Sequence, residues 1–125
     1  MTLLEQSLRM SPRDPGVARR YRSLALAHCY LKDYGQALTW AMRGVAAEPG
    51  AVIGYAYGAM IYVGLGDIAK AKQSFETMRR LAPEMAARWL RGDTVTAQHI
   101  HRERFLAFKR IAAGLEDPSA ADPYR

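Results

Sequence analysis

Tyr21-Arg22-Ser23-Leu24-Ala25-Leu26-Ala27-His28 and Tyr55-Ala56-Tyr57-Gly58-Ala59-Met60-Ile61-Tyr62 lie 34 residues apart and agree at the positions that pack helices. Tyr21, Leu24, Ala25 and His28 fall on Tyr55, Gly58, Ala59 and Tyr62. At the same offset, Ala37, Ala41, Gly44 and Pro49 fall on Ala71, Phe75, Met78 and Pro83. A period of this size belongs to a solenoid, in which one helical pair cannot bury its apolar face alone.

Working outward, the spacing predicts helices over about 17–31 and 35–47, joined by Lys32-Asp33-Tyr34 and ended by Glu48-Pro49-Gly50. A second pair is predicted over 52–65 and 68–81, with Gly66-Asp67 as its turn and Pro83 as its stop. Each pair is an αα-hairpin. Upstream, Leu4 and Leu8 place a short helix over 3–10 before Ser11-Pro12 breaks it. Counting back from Pro12, that helix is the second half of a repeat whose first half is missing. Downstream, Trp89 keeps the period and Gly92-Asp93-Thr94 cuts the helix short. A last amphipathic helix over 97–115 carries Ile100, Arg104 with Phe105, Phe108, Ile111 with Ala112, and Leu115 along one stripe. It is expected to cap the last apolar face by packing on the 68–81 helix and the Trp89 segment. The fold class is therefore all-α: a right-handed α-α superhelix with an N-terminal orphan helix and a C-terminal capping helix. Residues 1–115 form one domain, divided into a partial repeat (3–12), repeats over 18–51 and 52–85, and a degenerate repeat with its cap over 86–115. Residues 116–125, with two prolines, are expected to be a flexible tail.

Composition excludes several classes. No apolar run is long enough for a transmembrane span, and residues 1–10 lack the pattern of a signal peptide. The single cysteine, Cys29, cannot close an internal disulfide and points to a reducing, cytoplasmic setting. The net charge of +6 comes from 18 basic and 12 acidic residues, and the basic ones are dispersed. That argues for a solvated surface over a nucleic-acid arm. Gly64-Leu65-Gly66 closes a helix and does not open one after a strand, so it is no phosphate loop. His99 and His101 are two apart and face different sides of a helix, and His28 stands at a packing position, so neither is read as a metal site. No nucleophile–base spacing points to an enzyme, and no cofactor is expected.

These residues resemble the tetratricopeptide repeat. Its pattern is met by Tyr21-x2-Leu24-Ala25-x2-His28, Ala37-x3-Ala41 and Pro49, with His28 and Ala41 in place of aromatics. It is met again by Tyr55-x2-Gly58-Ala59-x2-Tyr62, Ala71-x3-Phe75 and Pro83, with Gly58 in place of leucine. More narrowly, residues 8–15, Ala27-His28, Tyr34-Gly35-Gln36-Ala37, Trp40-Ala41 and the ending Arg102-Glu103-Arg104-Phe105 with Ala112-Ala113-Gly114-Leu115 are similar to the C-terminal repeats of certain bacterial proteins. Those proteins join such repeats to a nucleotide cyclase or winged-helix DNA-binding domain, where the repeats regulate or scaffold.

The resemblance implies a function and a surface. The function is non-enzymatic protein–protein interaction, as a signalling scaffold. The surface is a concave groove lined by the first helix of each pair: Arg19, Arg22, Leu26, Cys29 and Tyr30, then Ile53, Ala56, Met60 and Val63. Chaperone-binding members hold a C-terminal carboxylate with Lys and Asn in this groove. Here Leu26, Met60 and Ala56 stand at such sites, so a chaperone-tail clamp is not expected. The expected partner is a protein or peptide with an apolar segment and an acidic flank. Two alternatives are a homodimer, favoured by Leu4 and Leu8, and nucleic-acid binding through the arginine excess.

Overall fold

The computed structural model describes residues 16–91 and 101–125, and the fold is all-α. In chain order the helices are α1 (Val17–Tyr30), α2 (Tyr34–Ala47), α3 (Val52–Leu65), α4 (Ile68–Leu81), α5 (Pro83–Arg91) and α6 (Arg102–Ala112), followed by a 3-10 helix (Pro118–Tyr124). The expected orphan helix over 3–10, with Leu4 and Leu8, lies outside the described residues, as do Gly92-Asp93-Thr94, His99 and Ile100.

The 34-residue offset holds in the backbone as well as in the side chains. Asp33 and Asp67 both cap a helix, accepting from the amides of Gln36 (3.4 Å) and Lys70 (3.2 Å). Lys32 and Gly66 both take positive φ, 61° and 84°. The amides of Asp33 and Asp67 donate back to the carbonyls of His28 and Tyr62, each at 2.9 Å. This closure satisfies a carbonyl in the last turn of α1 and of α3 in the same way.

Within each hairpin the helices meet through small residues. Ala25 and Ala37 in the first, and Ala59 and Ala71 in the second, are fully buried, which lets the helix backbones approach closely. The hairpins then stack, α2 against α3. This leaves α3 at the centre, packed by α2, α4 and α6. Its sequence, VIGYAYGAMIYVGL, is apolar nearly all round, as a helix enclosed on several sides requires. Gly64 has a specific role there. A Cβ on it would lie 2.6 Å from the Tyr34 ring, so its absence lets that ring rest on α3. The sequence reading puts Tyr34 in a turn; it is instead the buried first residue of α2.

The C-terminal region corrects two expectations. First, α6 buries Phe105, Phe108 and Ile111, but it packs chiefly on α3 and less on α4 and α5. Burying that stripe against the apolar central helix removes more surface from water than the amphipathic α4 allows. Second, residues 116–125 are not a free tail. Asp117 caps the 3-10 helix by accepting from the Ser119 amide (2.9 Å), and Ala121 is fully buried. The Tyr124 carbonyl accepts from the Tyr34 hydroxyl (3.1 Å), and its ring meets Phe108 edge-on at 6.3 Å. Ala121, Tyr124 and Arg125, which donates to the Val63 carbonyl (3.4 Å), hold this segment, too few to leave a periodic signal.

Candidate interaction surfaces

The concave residues do not form the open groove expected from the sequence. Met60 is 2% exposed, and Val63, Ala56 and Cys29 are also buried. α6 covers the far end of this face: Tyr30 stacks on His101 (5.0 Å) and Phe105 (5.7 Å). Leu26 and Ile53 are half-buried against the core. Arg22 is drawn away from the groove. Its stem lies on the Gly44 side of α2, and its Nη1 is buried without a hydrogen bond. Burial raises the Tyr57 hydroxyl above its ordinary pKa, and the Arg22 charge partly opposes that. Arg19 alone of the set is exposed. The groove is filled by the chain's own cap, and Arg22, Tyr30, Met60 and Val63 do not share one free surface.

A buried arginine anchors the cap. Arg104, 3% exposed, donates to the Tyr34 hydroxyl (3.0 Å) and the Tyr30 carbonyl (3.4 Å) and lies 3.0 Å from His101 Nδ1. Its guanidinium sits 4.7 Å from the Phe105 ring centroid. Neutral acceptors and a ring face thus stand where an acid usually would. The neighbouring Cys29 thiol is pushed up to about 12 by burial, against the pull of the Arg104 charge. Lys109, over the Trp89 ring at 5.4 Å, is held down to about 8 by the same desolvation, with the Arg102 charge adding to it. Periodicity puts Arg104 on the inward stripe but does not give its distant partners, Tyr30 on α1 and Tyr34 on α2.

The opposite face does carry an opening. A cleft of about 170 Å³ lies between α2, α3 and α4. Leu38, Met42 and Val45 form one wall at helical spacing, and Gly54 and Gly58 form the floor. Ala41, Tyr55, Tyr62 and Ser74 complete it. Met42 is 57% exposed at its mouth. The floor exists because Gly58 stands where the first repeat has Leu24. A Cβ at Gly58 would lie 3.3 Å from Ser74 Oγ, and one at Gly54 would lie 3.0 Å from Val45. The sequence reading registered Gly58 as a departure from the repeat pattern, which was the available signal, but assigned it no role.

Among the described residues no three His, Cys, Asp or Glu side chains gather as a metal site, and no helix is long and apolar enough to cross a membrane. Comparison with protein-family models, with curated proteins and with solved structures gives no match.

Proposed function

We propose that this chain is a non-enzymatic protein-binding module of the tetratricopeptide type, and that it serves as the repeat part of a bacterial regulatory protein. The shared turn geometry at the 34-residue offset supports the repeat assignment. A reducing cytoplasm suits the single buried thiol of Cys29. The observation that carries the binding reading is the α2–α3–α4 cleft, which stays open where the concave face is closed by α6. Apolar walls open to water at a glycine floor favour an incoming side chain over nothing.

The test is site-specific cross-linking in the cells that express the chain. A photoreactive residue replaces Met42 at the cleft mouth or Glu76, a surface control on α4. We expect a covalent adduct with a different protein from position 42 and none from 76. An adduct only at twice the chain's own mass assigns the surface to homo-oligomerisation instead. Absence of any adduct, or an adduct with nucleic acid, overturns the proposal.

A further inference from the structure

We propose that the α2–α3–α4 cleft takes one aromatic side chain from an acid-flanked segment of the partner protein, with Gly58 as the residue that makes room for it. This rests on the protein-binding reading above and adds the chemistry of the occupant.

Size sets the first limit. Drug-sized ligands and cofactors occupy about 300–1,000 Å³, whereas a dry cavity of about 150 Å³ holds a benzene ring. At about 170 Å³ this cleft matches a single ring. Its lining suits one: aliphatic side chains on α2, the Tyr55 and Tyr62 rings on α3, and no charged group. The Ser74 hydroxyl is the one side-chain polar group at the α4 edge of this lining.

Charge sets the second limit. The outer edge of the α4 wall runs Lys70, Gln73, Thr77, Arg80 at three- and four-residue spacing. It carries two cations and no acid. Lys70 Nζ stands 5.9 Å from the Tyr62 ring that lines the cleft. Of the nearby acids, Asp67 caps α4 and meets part of the Lys70 charge at 3.9 Å, while Glu76 binds Arg79 away from this edge, so the edge keeps a net positive charge through Arg80. On the α2 edge, Gly35, Thr39 and Ala46 are neutral, and the neighbouring Arg43 guanidinium lies over the Trp40 ring at 4.6 Å. A segment entering here gains from carboxylates beside its apolar residue and loses from cations.

The experiment titrates the ¹⁵N-labelled full chain with three capped peptides: Ac-Glu-Glu-Phe-Glu-Glu-NH2, the same with Ala for Phe, and the same with Lys for Glu. The first is expected to saturate shifts of the Gly54, Gly58 and Ser74 amides. The other two should bind at least tenfold more weakly, and salt should weaken the first. Gly58→Leu fills the cleft and should abolish binding. Because it also crowds Ser74, Met42→Glu is the second variant: it changes an exposed residue, should leave the α6 resonances in place, and should cost at least tenfold. Equal or tighter binding of the lysine peptide, shifts elsewhere on the chain, or retained binding in folded Gly58→Leu each overturn the proposal. So do shifts at Gly58 that depend on protein concentration without peptide, since a second copy then fills the cleft. If Met42 cross-links to a protein through a segment with neither an aromatic nor an acid, the binding reading stands and this inference alone fails.

Discussion

The two hairpins share a backbone and differ in what surrounds them. α1–α2 and α3–α4 have the same turn, the same capping aspartate and the same buried alanines. Yet Leu24 fills the first hairpin, while its counterpart Gly58 opens a cleft in the second. Cys29 and Val63, 34 residues apart, are both buried, but Val63 lies under the C-terminal region, where Arg125 reaches its carbonyl at 3.4 Å. The difference teaches that the repeat specifies turn and crossing, while position in the stack decides whether a face becomes core, cleft or cap seat. The second hairpin is enclosed on more sides, so disturbing its neighbours should cost more.

The largest effect should come from the cap. Phe108 is buried against Tyr34 and Tyr124, linking α6, the first turn of α2 and the 3-10 helix. Phe108→Ala should cost about 3–5 kcal/mol in urea unfolding, because the cavity adjoins the most enclosed helix. Leu24→Ala, in the first hairpin alone, should cost less, toward the low end of about 2–5 kcal/mol. If Leu24→Ala proves the more damaging, the first hairpin is the keystone and the comparison reverses.

The buried Cys29 gives a second reading of the first hairpin. A thiol moved from its ordinary value near 9 to about 12 has roughly a thousandfold less thiolate at pH 8. Alkylation of the native chain at pH 8 should be far slower than that of the urea-unfolded chain, since burial both suppresses the thiolate and shields the sulfur from the reagent. The linkage has a definite sign. The unfolded state loses its thiol proton near pH 9 and the folded state only near pH 12, so stability from this group is intact below 9 and falls as pH rises toward 12. Cys29→Val, the residue of the second hairpin, should remove that part of the alkaline loss. Native-state labelling at the unfolded rate would show that the α1–α6 contact opens readily.

What was legible in the sequence was what repeats. The 34-residue spacing of Tyr21, Ala25, Ala37 and Pro49 with their counterparts is local and periodic, so it gave the hairpins nearly to the residue. The seat of the cap was not legible. Phe105 and Phe108 announce an apolar stripe but not which helix receives it, and that depends on α3 being apolar on several faces. The closure of the concave groove is hidden from the sequence for the same reason. Tyr30 stacks on Phe105, and Met60 and Val63 are buried, because of tertiary packing by α6 that no local period encodes. The cleft was half legible: Gly58 breaks the pattern visibly, but a missing side chain becomes a site only when its neighbours leave the space unfilled.

A smaller effect separates the hairpins at their junction. Gly64→Ala puts a methyl where the Tyr34 ring lies, 2.6 Å from the nearest ring carbon, so the ring or the helix must shift. Overpacking of this kind costs about 1–3 kcal/mol. Because the Tyr34 hydroxyl bridges Arg104 and Tyr124, protection of the α6 amides from hydrogen exchange should fall along with stability. A loss of stability without change at α6 would mean that Tyr34 does not couple the hairpin to the cap.

The smallest effect tests the shared turn itself. Lys32 holds φ 61° and Gly66 holds φ 84° in equivalent closures. A side chain in the left-handed region costs about 1–2 kcal/mol, and glycine returns about 0.5–1 kcal/mol of that through its freer unfolded chain. Lys32→Gly should therefore stabilise the chain by about 0.5–1 kcal/mol. The reverse change, Gly66→Lys, meets no atom within 4 Å at its Cβ, so its cost is conformational and should be similar in size. The two turns are separate in the chain and share no bond, so their effects should add, and the exchanged double variant should lie near wild type. Thermal or urea unfolding of the three variants decides it. If Lys32→Gly destabilises, the lysine side chain is doing something at the first turn that glycine does not do at the second, and the two hairpins differ in their turns as well as in their surroundings.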